Sequence, residues 1–244
     1  MIFENAKKNI KKAYLIMFLF TIFMALLMFF ICTPFNSGYI SIIISIMFSL
    51  CTTSLLYFLG VKIILNISKA KKINMSDVPN ISNILENVCA KSNITKPKLY
   101  ITDEEQPNIF SIEQNSKKSI ICATKGLLEN LDDSELQAVI AHEVYHIKNH
   151  DAFLSTIITV MIGLPLILSD VYSRHLFKKY AKNNEKEKKD GTFTILISLL
   201  LNILSPISEK IIELLLSKNR DYIADANAIK IVGNKENLIK ALKK

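Results

Sequence analysis

Residues 13–61 run 49 positions without one charged side chain. A bilayer core takes about 20 apolar residues per helix, so this stretch predicts two membrane spans. The helix breakers of CTPFNSG, residues 32–38, supply a short turn between them. A cleaved signal peptide would carry an apolar core of only about 7–15 residues, and no second span would follow at once. Four lysines precede the first span (Lys7, Lys8, Lys11, Lys12), none lies in the turn, and Lys62, Lys69, Lys71 and Lys72 follow the second. The positive-inside rule then puts both flanks in the cytoplasm and the turn outside.

Beyond the spans the pattern shortens. Ile81, Ile84, Leu85 and Val88 recur at helical spacing after a polar, basic linker. KPKLYIT (residues 96–102), IFSIEQ and SIICA read as three short strands, separated by DEEQPN and NSKK. A helix then starts at Asp132, with Glu135 placed for a capping box and Leu131 and Leu136 able to pack across its entry. With no Gly or Pro from Asp133 to Asp151, one helix is expected over that whole stretch. Two further apolar runs follow, residues 152–169 and 191–208, joined by a basic loop. If the first of them crossed the membrane, that loop would lie outside, against the charge rule. Pro165 and Pro206 would bend both runs. A hairpin that dips into the bilayer or packs on the domain stays open beside true spanning.

Composition narrows the class. The chain has 244 residues, half of them hydrophobic, and a net charge of +8. Its excess lysines border apolar segments and are not interleaved with stacking aromatics, so they point to a lipid surface and not to nucleic acid. The four cysteines (Cys32, Cys51, Cys89, Cys122) lack CxxC spacing and read as reduced core or membrane filler. No internal repeat is visible. The fold class expected is α+β, a mainly helical membrane protein carrying a small β-sheet.

Three of the four histidines fall in one helix. His142 and His146 are four residues apart and share a face, so both imidazoles can reach one zinc ion. Glu143 sits about 100° round the helix, within reach of a water on the metal without being a ligand. This is the HExxH arrangement, two ligands and a general base on one turn. His150 extends the ladder, but on a straight helix it lies about 12 Å from His142, too far to close on the same ion. His175 belongs to the basic loop and is expected at the surface. A third ligand is sought in LLLSKNRDYIADANA, where Asp221 and Asp225 are four apart beside Glu213 and Ser217. One carboxylate can complete a His₂–carboxylate site and the other can orient a ligating imidazole. Arg220 and Tyr222 are close enough in sequence to be considered for stabilising an oxyanion.

The chain resembles the HtpX-type membrane-bound zinc metalloproteases of bacteria. AHEVYHIKNHD matches that family's HExxH helix, and SKNRDYIADA its downstream Ser-Arg-x-x-Glu-Tyr-x-Ala-Asp motif. QPNIF resembles the family's Pro-Asn-Ala-Phe stretch, and ATKGLLENLDDSEL the segment leading into the active helix. The resemblance implies one zinc per chain held by His142, His146 and Asp221, with Glu143 as base and Asp225 in the place of the family's final Asp. Asp221 stands where the family has Glu, Lys218 where it has Arg, and Ile109 where it has Ala. The expected organisation is a two-helix anchor over residues 1–66 and a zincin-like, cytoplasmic metalloprotease domain over 67–244, with the apolar hairpin 152–208 inserted. A multi-pass protein of the cell membrane is implied, cleaving misfolded or damaged membrane proteins. An extended substrate would add as a strand beside Asn108, Ile109 and Phe110. The competing reading, motivated by Asp221, is an inactive membrane-anchored pseudoprotease that binds unfolded segments or a partner protein.

Overall fold

The computed structural model describes residues 2–33, 38–74, 76, 78–115, 118–163 and 219–244. Two long helices open the chain, α1 (Ile2–Cys32) and α2 (Gly38–Ile67). Both are long and apolar enough to cross a membrane. At 1.5 Å per residue each reaches about 45 Å, well beyond a ~30 Å bilayer core. Outward-facing Phe18, Met47 and Phe58 are 61%, 68% and 64% exposed, which lipid tolerates and water does not. On α2 a stripe of Ser41, Ser45, Ser49 and Thr53 is buried, and Thr53 Oγ1 meets Thr21 Oγ1 of α1 at 2.9 Å. Small side chains let two helices approach closely where lipid offers no hydrophobic push.

The sheet is mixed and four-stranded, in the order β1-β2-β4-β3. Its strands are β1 (Lys71–Lys72), β2 (Lys98–Thr102), β3 (Ile109–Asn115) and β4 (Lys118–Thr124). β2 and β4 run parallel, while the other two pairings are antiparallel. The three expected strands are all present, and the two-residue β1 adds an edge that hydrophobic alternation does not mark. One sheet face, with Leu99, Ile121 and Ala123, packs on α3 (Pro79–Ser92) and α5 (Asp133–Lys148). The opposite face, with Ile112, Ile120 and Cys122, packs against Leu65 near the end of α2. Burial on that face pushes the Cys122 thiol up to about 12, which fits filler and not a reactive thiolate. All four cysteines are free.

β3 lies at the sheet edge beside α5. Thr124 N donates to Asn108 O at 3.0 Å, so the backbone groups of Asn108, Phe110 and Ile112 turn toward β4. Those of Ile109, Ser111 and Glu113 turn to the outer edge, where Glu113 N donates to Thr156 Oγ1 at 3.1 Å. The first half of β3 is only part-buried. Its entry is pinned by Thr124, whose hydroxyl donates to Gln106 O, accepts from Asn108 N and caps α4 (Lys125–Asn130) at Leu127 N. Gly126 is required there, since a Cβ would fall 1.7 Å from the Glu105 carbonyl oxygen.

The capping box at Asp132 and Glu135 starts α5 as expected. The helix does not run through to Asp151. It ends at Lys148, and His150 takes a left-handed conformation, φ 54°, before α6 (Asp151–Ile158) begins. His150 Nδ1 lies 2.7 Å from Glu113 Oε1, and the turn folds Asp151 back toward His146. Histidine is among the side chains that tolerate this backbone region, so neither Gly nor Pro is needed to break the helix.

α6 and the π-turn Thr159–Gly163 sink Phe153, Leu154, Ile157, Ile158, Val160 and Met161 against α1 and α2. Gly60 permits that contact, because a Cβ there would meet Val160 Cγ1 at 2.5 Å. The start of the expected hairpin is therefore packed among these helices. The rest of it, with Pro165, His175 and Pro206, lies outside the described residues, as do Glu213 and Ser217. The chain resumes with α7 (Asn219–Val232) and α8 (Lys235–Ala241), both packed on α5.

Candidate metal centre

The site forms where α7 crosses α5. Ala138 and Ala141 on α5, and Ala224 and Ala228 on α7, are at most 1% exposed. Ala138, Ala141 and Ala228 lie in one core cluster, where small side chains let packed helices approach closely. Asp221 Oδ1 then lies 3.6 Å from His146 Nε2. One ligand atom from each of His142, His146 and Asp221 lies within 4.8 Å of the others.

The imidazoles are oriented from behind. His142 Nδ1 lies 2.7 Å from Asp225 Oδ1, and His146 Nδ1 lies 3.4 Å from Asp151 Oδ2. A proton on each Nδ1, facing a carboxylate, leaves a bare lone pair on each Nε2. Those two Nε2 atoms face each other at 3.0 Å. Both lone pairs can then be given to one zinc, whose bonds of 2.0–2.1 Å and tetrahedral angles call for ligand atoms about 3.3 Å apart. The donor set thus fits a zinc ion. Burial works to lower the His146 pKa, but the Asp151 hydrogen bond and the charges of Glu143, Asp151 and Asp221 outweigh it and raise it. Glu143, one residue along α5, is 8% exposed.

The structure brings His142, His146, Asp221 and Asp225 together and runs Ile109 and Phe110 along the edge strand beside α5, with Asn108 just before it. Tyr222 is 67% exposed. Arg220 turns behind His146, with Nη1 3.7 Å from Asp151 Oδ1. His150 is engaged with the buried Glu113, away from the ligand cluster.

Asp151 is a residue that pattern reading passed over. It is 1% exposed and accepts from Asn149 Nδ2 at 3.0 Å and from Asn9 Nδ2 at 2.7 Å. An acid five positions after the second histidine was the available signal, but it gains meaning only once the helix is known to break between them.

An HExxH helix faced by a carboxylate-bearing helix and backed by a small sheet is the arrangement of metallopeptidases. Residues 76–244 match Peptidase family M48, and the chain belongs to that family. It is 35% identical over 246 residues to a protease HtpX homolog of Dictyoglomus turgidum, covering 99% of this chain and 78% of the relative. A protease HtpX homolog of Caldanaerobacter subterraneus subsp. tengcongensis is 34% identical, with 100% and 82% covered. One of Lactobacillus acidophilus is 29% identical, with 100% and 84% covered. Among solved structures, S. mikatae Ste24p aligns with a TM-score of 0.46 and 16% identity, over 98% of this chain and 58% of that protein's length.

Proposed function

We propose that the chain is a zinc-dependent endopeptidase of the cell membrane. Its domain over residues 67–244 faces the cytoplasm and cleaves misfolded or damaged membrane proteins. The observation that carries this reading is the pair of Nε2 atoms facing each other at 3.0 Å, with Asp221 completing the set. His142, His146 and Asp221 hold the zinc, and Asp225 orients His142. When bound, zinc polarises the scissile carbonyl and lowers the pKa of water at the site. Glu143 takes the proton of the attacking water and passes it to the leaving amine. Ile109 and Ser111 offer outward backbone groups to an extended substrate, with Asn108 and Phe110 holding the strand in register on β4. Recognition through main chain favours locally unfolded segments over any one side-chain sequence. The anchor over residues 1–66 keeps the site beside the bilayer, where such segments arise.

The test is zinc per chain and peptide hydrolysis in detergent-purified protein. We expect about one zinc in Glu143→Gln, no hydrolysis by that variant, and loss of the metal in Asp221→Ala. Negligible zinc in a folded, zinc-supplied preparation would favour an inactive binding protein instead.

A further inference from the structure

We propose that Asn9 of α1 is a positioning residue of the metal centre, holding Asp151 so that Asp151 can orient His146. The proposal rests on His146 being a ligand, as read above. Asn9 is 7% exposed, although Lys7, Lys8, Lys11 and Lys12 around it are exposed. A buried amide on a basic, water-facing stretch of helix needs partners. Asn9 Nδ2 donates to Asp151 Oδ1 at 2.7 Å and to the Asn149 carbonyl at 3.0 Å, which uses both its protons on the turn that follows the HExxH helix.

Asp151 divides its two oxygens. Oδ2 faces His146 Nδ1 at 3.4 Å and accepts from Asn149 at 3.0 Å. Oδ1 accepts from Asn9, and its other neighbour, Arg220 Nη1, stands at 3.7 Å, beyond hydrogen-bond range. Arg220 has Nε and Nη1 buried without hydrogen-bond partners among the described residues. Without Asn9, nothing among the described residues holds Oδ1 against that guanidinium. The carboxylate would rotate toward Arg220, and the 3.4 Å contact to His146, the longest of its hydrogen bonds, would be lost first. The basic end of the first helix is on this view part of the site's support as well as part of the anchor.

A merely structural Asn9 would glue α1 to α6 and nothing more. Tyr14 makes an edge contact with Phe153 across the same junction, ring centroids 5.9 Å apart, without touching the polar network. It supplies the control. On a Glu143→Gln background, zinc affinity is measured by chelator competition and the cobalt(II) absorption spectrum is recorded. Asn9→Ala is expected to weaken zinc about 10-fold and to shift the cobalt bands. Tyr14→Ala is expected to lower the thermal midpoint with zinc affinity unchanged. In the chain with Glu143 restored, Asn9→Ala should lower kcat and leave KM near the parent's. Asn9→Leu, of similar shape without donors, repeats the measurement should the alanine variant not fold. Parental zinc affinity in the Asn9 variants, with zinc lost in His146→Ala, overturns this proposal alone. Zinc retained in His146→Ala overturns the ligand assignment and this proposal with it.

Discussion

Replacing Asp225 isolates what one carboxylate behind a ligand contributes. Its Oδ1 stands 2.7 Å from His142 Nδ1, short enough for a charge-assisted bond. Hydrogen bonds to charged groups contribute about 1.5–3 kcal/mol. The two side chains are 30% and 19% exposed, and partial hydration puts this pair at the low end. About 1.5 kcal/mol corresponds to roughly tenfold in affinity. Asp225→Asn keeps an acceptor of the same shape without the charge and should weaken zinc about 10-fold. Asp225→Ala also frees the ring to turn and should approach the ~100-fold end of such effects. The assay is zinc competition against a chromophoric chelator at one fixed pH, in Glu143→Gln protein so that self-cleavage cannot intrude. A double-mutant cycle with His142→Ala then asks whether Asp225 acts through that ring. Zinc affinity within about twofold of the parent in both Asp225 variants would refute the reasoning. So would equal losses with and without His142, because Asp225 would then act by another route.

Three further outcomes are expected. Gly60→Leu should lower the thermal midpoint by pushing Val160 away, a cost of about 1–3 kcal/mol, and Val160→Ala should restore much of it, read by unfolding in detergent. Ile109→Pro removes an outward N–H at an edge where proline is tolerated, so KM for an extended peptide should rise about 5–10-fold with zinc unchanged. The Glu113 hydrogen bond raises the His150 pKa, more strongly than burial lowers it, with the charges of Glu113 and Asp151 adding to the rise. A raised folded value means that the stabilisation is full below the unfolded value of about 6.5 and is lost as pH climbs through the folded one. The excess stability of the chain over His150→Asn, measured without metal, should therefore be greatest in acid and shrink on the alkaline side. A gap that widens with pH would contradict the pairing.

Local pattern reading reached the two long helices, the three main strands, the capping box and the HExxH turn, because each is written in residues a few positions apart. It failed at Asn149 and His150, where neither Gly nor Pro announces a break and the left-handed backbone is held by a distant partner, Glu113. It could not reach Asn9, since no periodicity relates that residue to Asp151, 142 positions on. The closeness of Asp221 to His146 was half legible. Ala224 and Ala228 mark a face able to approach another helix, but only the fold says which helix receives it.

The separation of the site's halves has a consequence in time. His142 and Asp225, which meet at 2.7 Å, are 83 residues apart in the chain. At synthesis rates of about 5–20 residues per second, the histidine helix waits roughly 4–17 s for its carboxylates to be made. A nascent chain therefore carries the histidine helix before the facing carboxylates exist. On the proposed assignment of Asp221 as a ligand, cleavage becomes possible only after α7 has docked, so the order of synthesis itself delays the activity.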